Sequence, residues 1–266
     1  MVSKTVTERD RLQGAQSIDR ALSLLSAFTP QQPQRRIADL VTESGLGQST
    51  VSRMASAMSH LGYLTHDPQS GLYSLGPELV SLAAVALNEN PVHQRSRQLA
   101  QNLAAQLGLG VNVAQRHGDR LFYLCNFEGE HQPRSSTLIG RGGPIHGTAL
   151  GKALVQDMDR AALEELLGTS FDRYTATTIT TLPDLLTALE RVRERGFAVE
   201  HEELALRRAC VAVPIRDRTG EVVAAISVSG PLSTMNLPER EEELGTLLIE
   251  QADRISASLG YMTTVA

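Results

Sequence analysis

Tryptophan is absent from this sequence, and aromatic residues make up only 4% of it. The core must therefore be built from Leu, Val, Ile and Ala. No apolar run approaches the ~20 residues that cross a bilayer. The N-terminus, MVSKTVTERDRLQGAQ, lacks the apolar stretch of a secretory signal. Only two cysteines occur, Cys125 and Cys210, giving neither a disulfide framework nor a CxxC pair. Reduced thiols and a cytoplasmic location are expected. His146, His201, Cys210 and Glu202 show no metal-ligand spacing such as HExxH, and no GxSxG elbow is present. Neither a metal, a cofactor nor catalysis is expected.

What is present is a chain of 266 residues, enough for one large domain or two ordinary ones, with a normal hydrophobic fraction of 41%. Residues 1–88 hold seven Lys and Arg against seven Asp and Glu, so the net charge of −5 falls on the remainder. A neutral segment on an acidic body says little about a polyanion partner. The placement of individual charges matters more, because a groove needs only a local basic surface.

Along the chain, SIDRALSLLSAF has helical period, with Ile18, Ala21, Leu22, Leu25 and Phe28 apolar and Ser17 as N-cap. RIADLVTESG predicts a short second helix ending at Gly45. GLGQSTVSRMASAMSHLGYL predicts a third, with Val51, Met54, Ala55, Met58 and Leu61 apolar and Gly62 ending it. YLTHDPQSGLYSL is a hairpin around Pro-Gln-Ser-Gly. Helix, helix-turn-helix and hairpin in this order form a winged helix-turn-helix. GPELVSLAAVALNEN leads out as a helix rich in small apolar residues, with a boundary near Asn88 to Pro91.

The second part mixes helices and strands. VNVAQRHGDRLFYLCNFEG predicts two strands about a His-Gly-Asp turn, and SSTLIG a further strand. TALGKALVQDM, RAALEELLG and PDLLTALERVRERG predict helices. FAVEHEE, ACVAVPIRD and EVVAAISVSG predict strands, and PEREEELGTLLIEQADRISASLG a long closing helix. The expected fold class is mixed α/β in two domains, the second with a mostly antiparallel sheet flanked by helices. The expected division is an arm at 1–16, a DNA-binding domain at 17–76, a linker helix at 77–91 and a second domain at 92–262.

The third helix has an unusual outer face. Ser49, Ser52, Arg53, Ser56 and His60 lie opposite Val51, Met54, Ala55 and Met58. A surface helix ordinarily carries Glu and Lys there. In a DNA major groove a carboxylate would meet phosphates on both walls and lose its hydration. Short hydroxyls let the backbone approach, and arginine can take guanine O6 and N7 together. The candidate DNA contacts are Arg20, Arg36, Gln48, Ser49, Thr50, Ser52, Arg53 and Ser56. A monomer reads too few base pairs to be specific. A two-fold dimer on a pseudo-palindromic operator is expected, built on the first helix and the linker helix.

The N-terminal part, SIDRALSLLSAF…RIADLVTESGLGQSTVSRMASAMSHLGYLTHDPQSGLYSLGPELVSLA, resembles the winged helix-turn-helix of IclR-type transcriptional regulators. GGPIHGTALGKAL, GFAVEHEELALRRACVAVPI and AAISVSGP follow in that family's order and spacing, so the resemblance spans Gln16 to Gly260. It implies a DNA-binding repressor or activator with a GAF-like effector-binding domain, forming dimers that often pair into tetramers. It places a small-molecule effector, an organic or aromatic acid, against Ala149, Leu150, Glu200, Cys210, Ser227 and Ser229. Thr137, Thr148 and Arg208 complete the candidate set.

Ser227 and Ser229 are two apart on one strand, so both hydroxyls face one side and need partners. A ligand carboxylate or neighbouring backbone would serve. The sequence departs from the family at Glu200, where aspartate is common, and at Arg207 and Arg208, where a glycine and a small apolar residue are usual. The arginines would favour an anionic effector. Alternatively they point to solvent or pair with Glu202 and Glu203. The alternative to a regulator is a ligand-sensing dimerisation module without specific DNA binding.

Overall fold

The computed structural model describes residues 8–130 and 137–262, with side chains from residue 16 onward. The chain divides into two units between Ala86 and Leu87.

In the first unit α1 (Glu8–Ser26) precedes β1 (Gln34–Arg35), α2 (Ile37–Ser44), α3 (Gln48–His60), β2 (Leu64–Asp67) and β3 (Leu72–Leu75). At the start of α2 the Arg36 N–H donates to Asp39 Oδ2 at 2.8 Å. The helix stops at Gly45, whose φ of 65° is a left-handed conformation that glycine adopts without strain. Leu46 in the short turn packs with Leu24, Leu40 and Val51, which fixes α3 against α1 and α2. The small sheet has the order β1-β3-β2 and is antiparallel. Ala55, Met58, Leu64 and Tyr73 form its core with α3.

Three expectations need correction here. Residues 8–16 are helical, so α1 starts at Glu8 and Ser17 lies inside it instead of capping it; the rest of the expected arm lies outside the described residues. Ile18 and Leu22 are 62% and 58% exposed, while Leu24 is fully buried. The apolar arc of α1 is wider than the face that packs. Leu61, expected on the buried side of α3, is exposed, because it is the residue that ends the helix.

Helix α4 (Pro77–Glu89) carries the chain across the division, and none of its residues is buried. The second unit runs α5 (Pro91–Leu107), β4 (Gly110–His117), β5 (Arg120–Phe127), β6 (Gly142–Pro144), α6 (Ala149–Val155), α7 (Arg160–Leu167), α8 (Leu182–Arg195), β7 (Ala198–His201), β8 (Arg208–Arg216), β9 (Val222–Pro231), α9 (Leu232–Met235) and α10 (Leu237–Ser258). The strands make one sheet, β6-β5-β4-β9-β8-β7, with every neighbour antiparallel. The strand expected in SSTLIG is displaced: Thr137–Gly140 is irregular and the edge strand is Gly142–Pro144, while residues 135 and 136 lie outside the described residues.

Side chains alternate across the sheet, and its two faces differ in size. Val111, Val113, Val211, Val213, Ile226 and Val228 pack under α5 and α10. The other face presents Ala114, Ala198, Ala212 and Ala225 to α6 and α8. Large side chains fill one face; small ones leave room above the other.

Candidate nucleic-acid interface and ligand cavity

Helix α3 is anchored by Val51, Ala55 and Met58 and turns the opposite side outward. Ser49, Arg53, Ser56 and His60 fall within roughly 60° of one another on a helix of 100° per residue, with Ser52 at the edge of that face. Gln48, Ser49, Arg53 and Ser56 are exposed, and Thr50 and Ser52 half-buried. Among the described residues Arg53 makes no hydrogen bond or ion pair, so its guanidinium is available. Arg36 is exposed at the start of α2. Arg20 lies elsewhere, in a cleft with Asp19, Glu43, Ser44 and Leu46 that no α3 residue lines. Arg35 turns inward, donating to Ala27 O at 3.0 Å. Beside α3 the hairpin stacks His66 on Tyr73, ring centroids 4.4 Å apart.

The second unit holds a cavity of about 330 Å³ over the small-residue face of its sheet. Strand register builds its floor in two rows. Glu200, Cys210, Ser229 and Gly110 stand side by side across β7, β8, β9 and β4, and Ser227, Asn112 and Asn126 form the next row across β9, β4 and β5. Leu138, Thr148, Ala149, Leu150, Leu204, Ala205, Glu128 and Arg208 close the sides. Thr148 caps α6: its Oγ1 accepts the Gly151 N–H at 3.0 Å and donates to Pro144 O at 2.8 Å. Eight of the nine residues expected at an effector site thus line one cavity. Thr137 does not; its Oγ1 accepts the Ile139 N–H. Of the two arginines, Arg208 lines the cavity while Arg207 is exposed.

Sequence reasoning missed Asn112, Asn126 and Tyr123. Asn112 carried a signal, being the lone amide in the apolar stretch VNVA. Tyr123 did not. A bulge shifts the β4–β5 register between Val113 and Ala114, so that Ala114 pairs with Tyr123. Tyr123 and Asn126, three apart, therefore share the cavity face.

The floor row is polarised by its hydrogen bonds. The Leu138 N–H donates to Asn126 Oδ1 at 3.2 Å, Asn126 Nδ2 donates to Asn112 Oδ1 at 2.9 Å, and Asn112 Nδ2 donates to Ser229 Oγ at 3.4 Å. Each oxygen along this relay already accepts one bond from the donor before it. The Ser229 hydroxyl proton and the second N–H of each amide are left over. Ser227 Oγ beside them is fully buried and makes no hydrogen bond of ordinary geometry, although the Cys210 thiol is close enough to be affected by it.

Three groups of the cavity, Cys210, Tyr123 and Glu200, are shifted toward their neutral forms. Burial, and then the nearby Glu200 carboxyl, push the Cys210 thiol to about 12. Burial, and then Cys210, push the Tyr123 phenol to about 12. Burial raises the Glu200 carboxyl as well, against the lowering effect of the Leu204 and Glu203 N–H groups bonded to it. A thiol this reluctant to ionise is a poor nucleophile. His146 stacks on Phe171 and Tyr174, and its Nε2 bonds Asp172 O at 3.0 Å. Among the described residues no cluster of three or more His, Cys, Asp or Glu could hold a metal ion.

Residues 84–257 match the family described as "Bacterial transcriptional regulator IclR C-terminal", and residues 17–68 match the IclR helix-turn-helix domain. The HTH-type transcriptional regulator XynR of Escherichia coli K12 is 30% identical over 250 residues, covering 92% of this chain and 98% of XynR. The HTH-type transcriptional repressor AllR of Salmonella typhi is 31% identical over 257 residues, covering 95% of this chain and 93% of AllR. Among solved structures, an IclR transcriptional regulator from Alicyclobacillus acidocaldarius superposes with a TM-score of 0.81 at 27% identity, over 92% of this chain and 99% of that one.

Proposed function

The chain belongs to the IclR family of bacterial transcriptional regulators, and from that premise we propose that it is a homodimeric repressor whose hold on its operator is set by a small organic acid in the cavity. That it is a DNA-binding regulator and not an enzyme follows from the family. The sense of regulation, the effector, the contact residues, the assembly and a cytoplasmic location belong to the proposal. No helix among the described residues is long and apolar enough to cross a membrane. Repression is supported by the kinship with a protein named as a repressor.

The observation that carries the effector reading is the direction of the Asn126–Asn112–Ser229 relay. With each oxygen of the relay already accepting one bond, the relay offers donors, and Ser227 adds a hydroxyl without a partner. A ligand group that accepts hydrogen bonds is the one these donors suit. A carboxylate accepts several at once, and bonds to a charged acceptor are the stronger kind. Leu138, Leu150, Leu204 and Ala205 supply apolar walls for the rest of a small ligand, and Arg208 adds a positive charge at the rim. On the DNA side, α3 supplies Gln48, Ser49, Thr50, Ser52, Arg53 and Ser56, with Arg36 from α2. Exposed apolar residues on α1 and α4, among them Ile18, Leu22, Val80 and Val85, suit contact with a second copy.

The test is fluorescence polarisation on operator fragments selected from genomic DNA, repeated with a panel of small aliphatic and aromatic carboxylates and their matching alcohols. At least one acid should change operator affinity at least tenfold while its alcohol does not. A panel in which alcohols act as well as acids would refute the acceptor seat. Absence of any sequence-selective binding would favour the sensing module without DNA function.

A further inference from the structure

Strands β7 and β8 are antiparallel neighbours, which a two-residue turn can join. Here the link is residues 202–207, and it is built unlike a simple connector. Glu202 and Arg207 stand at its ends with φ of 57° and 63°, left-handed without being glycine. Such residues persist only where the surroundings enforce them. Between them Leu204 and Ala205 form part of the cavity wall.

The segment is fastened from three sides. Glu200 Oε1 accepts the N–H groups of Glu203 at 2.6 Å and Leu204 at 3.2 Å. Lys152, 2% exposed, donates to Glu203 Oε1 at 2.6 Å and to Val199 O at 2.7 Å. The threonine run TATTITT supplies the third hold: Thr175 Oγ1 donates to Glu202 O at 2.6 Å, Thr177 Oγ1 to Glu202 O at 2.9 Å and Thr178 Oγ1 to Glu203 O at 2.6 Å. None of these threonines lines the cavity, and Thr178 is itself buried. The fastening is also incomplete, because Glu203 Oε2 is buried without a partner. Strain at both ends and one unsatisfied carboxylate oxygen favour release.

We propose that residues 202–207 are a lid over the cavity, hinged at Glu202 and Arg207 and latched by the Thr175–Thr178 run and the Lys152–Glu203 pair, and that its opening admits the ligand. The regulatory meaning of this lid rests on the cavity being the effector site; its motion does not.

Cys210 reports the motion without any effector, since it lines the cavity, whereas Cys125 is buried on the opposite face of the sheet. Full-length protein is pulsed with a small organomercurial, and each cysteine is followed by peptide mass spectrometry. The Thr175→Val/Thr178→Val and Glu203→Gln variants should label Cys210 at least tenfold faster than wild type, with Cys125 unchanged. Arg207→Gly removes the left-handed strain of the closed form and should slow Cys210. Latch variants that label at the wild-type rate overturn the lid. Should a latch variant accelerate Cys125 equally, the fold has loosened, and Arg207→Gly decides: labelling no slower than wild type then overturns the lid. Failure of every acid to affect operator binding would remove the effector reading and leave these rates untouched.

Discussion

Replacing Arg53 by alanine should uncouple DNA affinity from everything else the protein does. The side chain is exposed on the outer α3 face and has no protein partner among the described residues. Its loss should therefore change folding stability by no more than about 0.5 kcal/mol, the ordinary range for such surface sites. On DNA the account is different. A bidentate arginine–guanine contact contributes ~1–3 kcal/mol, and a two-fold dimer makes it twice, giving ~2–6 kcal/mol in all. At 1.4 kcal/mol per tenfold, that is a loss of about 30-fold to about 10⁴-fold in operator affinity. The partner group on the DNA can be separated by two further measurements. Arg53→Lys keeps the charge but not the fork, so a guanine contact is lost and a phosphate contact survives. If the partners are phosphates, the alanine variant should also flatten the plot of log K against log salt by about 0.9 per contact, or ~1.8 per dimer. Fluorescence polarisation at three salt concentrations gives both quantities, and thermal melting checks the fold. Arg53→Ala binding within twofold of wild type at matched salt would refute the facing of α3.

Three other outcomes are expected. Ser229→Ala should blunt the response to an acid effector and leave ligand-free operator binding intact; loss of both would make Ser229 a structural residue. Val85→Glu should convert dimer to monomer in sedimentation at micromolar concentration, since Val85 is exposed on α4; a wild-type protein that is itself monomeric would dismiss the dimer. Glu200 has its carboxyl raised by burial, so the folded state holds that proton more tightly than the unfolded chain does. Its contribution to stability is then fully present below the unfolded value and lost as pH rises through the folded one. Glu200→Gln keeps an acceptor for the Glu203 and Leu204 N–H groups, so it should melt above wild type at pH 8, with the gap closing toward pH 5; a variant that melts below wild type at pH 8 would contradict this.

Part of this was legible in the sequence, because two of its patterns have few physical uses. A helix face of hydroxyls and one arginine has few roles other than approach to a polyanion. VVAAISVSG has to be a buried strand, and its alternation put Ser227 and Ser229 on one side. Other features depend on packing that periodicity does not encode. In α1 the apolar residues cover too wide an arc for period alone to choose Leu24 over Ile18 and Leu22. The N-terminal extension to Glu8 is a helix written in polar residues, with no apolar stripe to announce it. The bulge beside Leu124 reverses the facing that simple alternation assigns to Tyr123, and no glycine marks it. Glu202 and Arg207 likewise adopt left-handed backbone where the residue type gives no warning. The candidate Thr137 falls one residue short: the neighbouring Leu138 lines the cavity, and its backbone N–H is held by Asn126.

The cavity and the α3 face belong to different units of the chain, and this limits what an effector can do. Binding the acid tightly is not sufficient. It must bind the DNA-competent and DNA-incompetent arrangements with unequal affinity, and the ratio of those affinities caps its effect on operator binding. A tenfold preference amounts to ~1.4 kcal/mol, within the range typical of coupled sites. One hydrogen bond from the floor to a charged acceptor contributes ~1.5–3 kcal/mol. A change at Ser229 or Ser227 alone, made in one arrangement and not the other, is therefore large enough to account for the switch. The coupling is also reciprocal: saturating operator must change the affinity for the acid by the same factor that the acid changes the affinity for operator. Titrating the acid by calorimetry with and without operator measures that factor directly. Agreement of the two factors in the wild type, and their joint fall toward unity in Ser229→Ala, would place the switch in the polarised row of β4, β5 and β9. A factor that survives in Ser229→Ala would move it to the Arg208 side of the cavity.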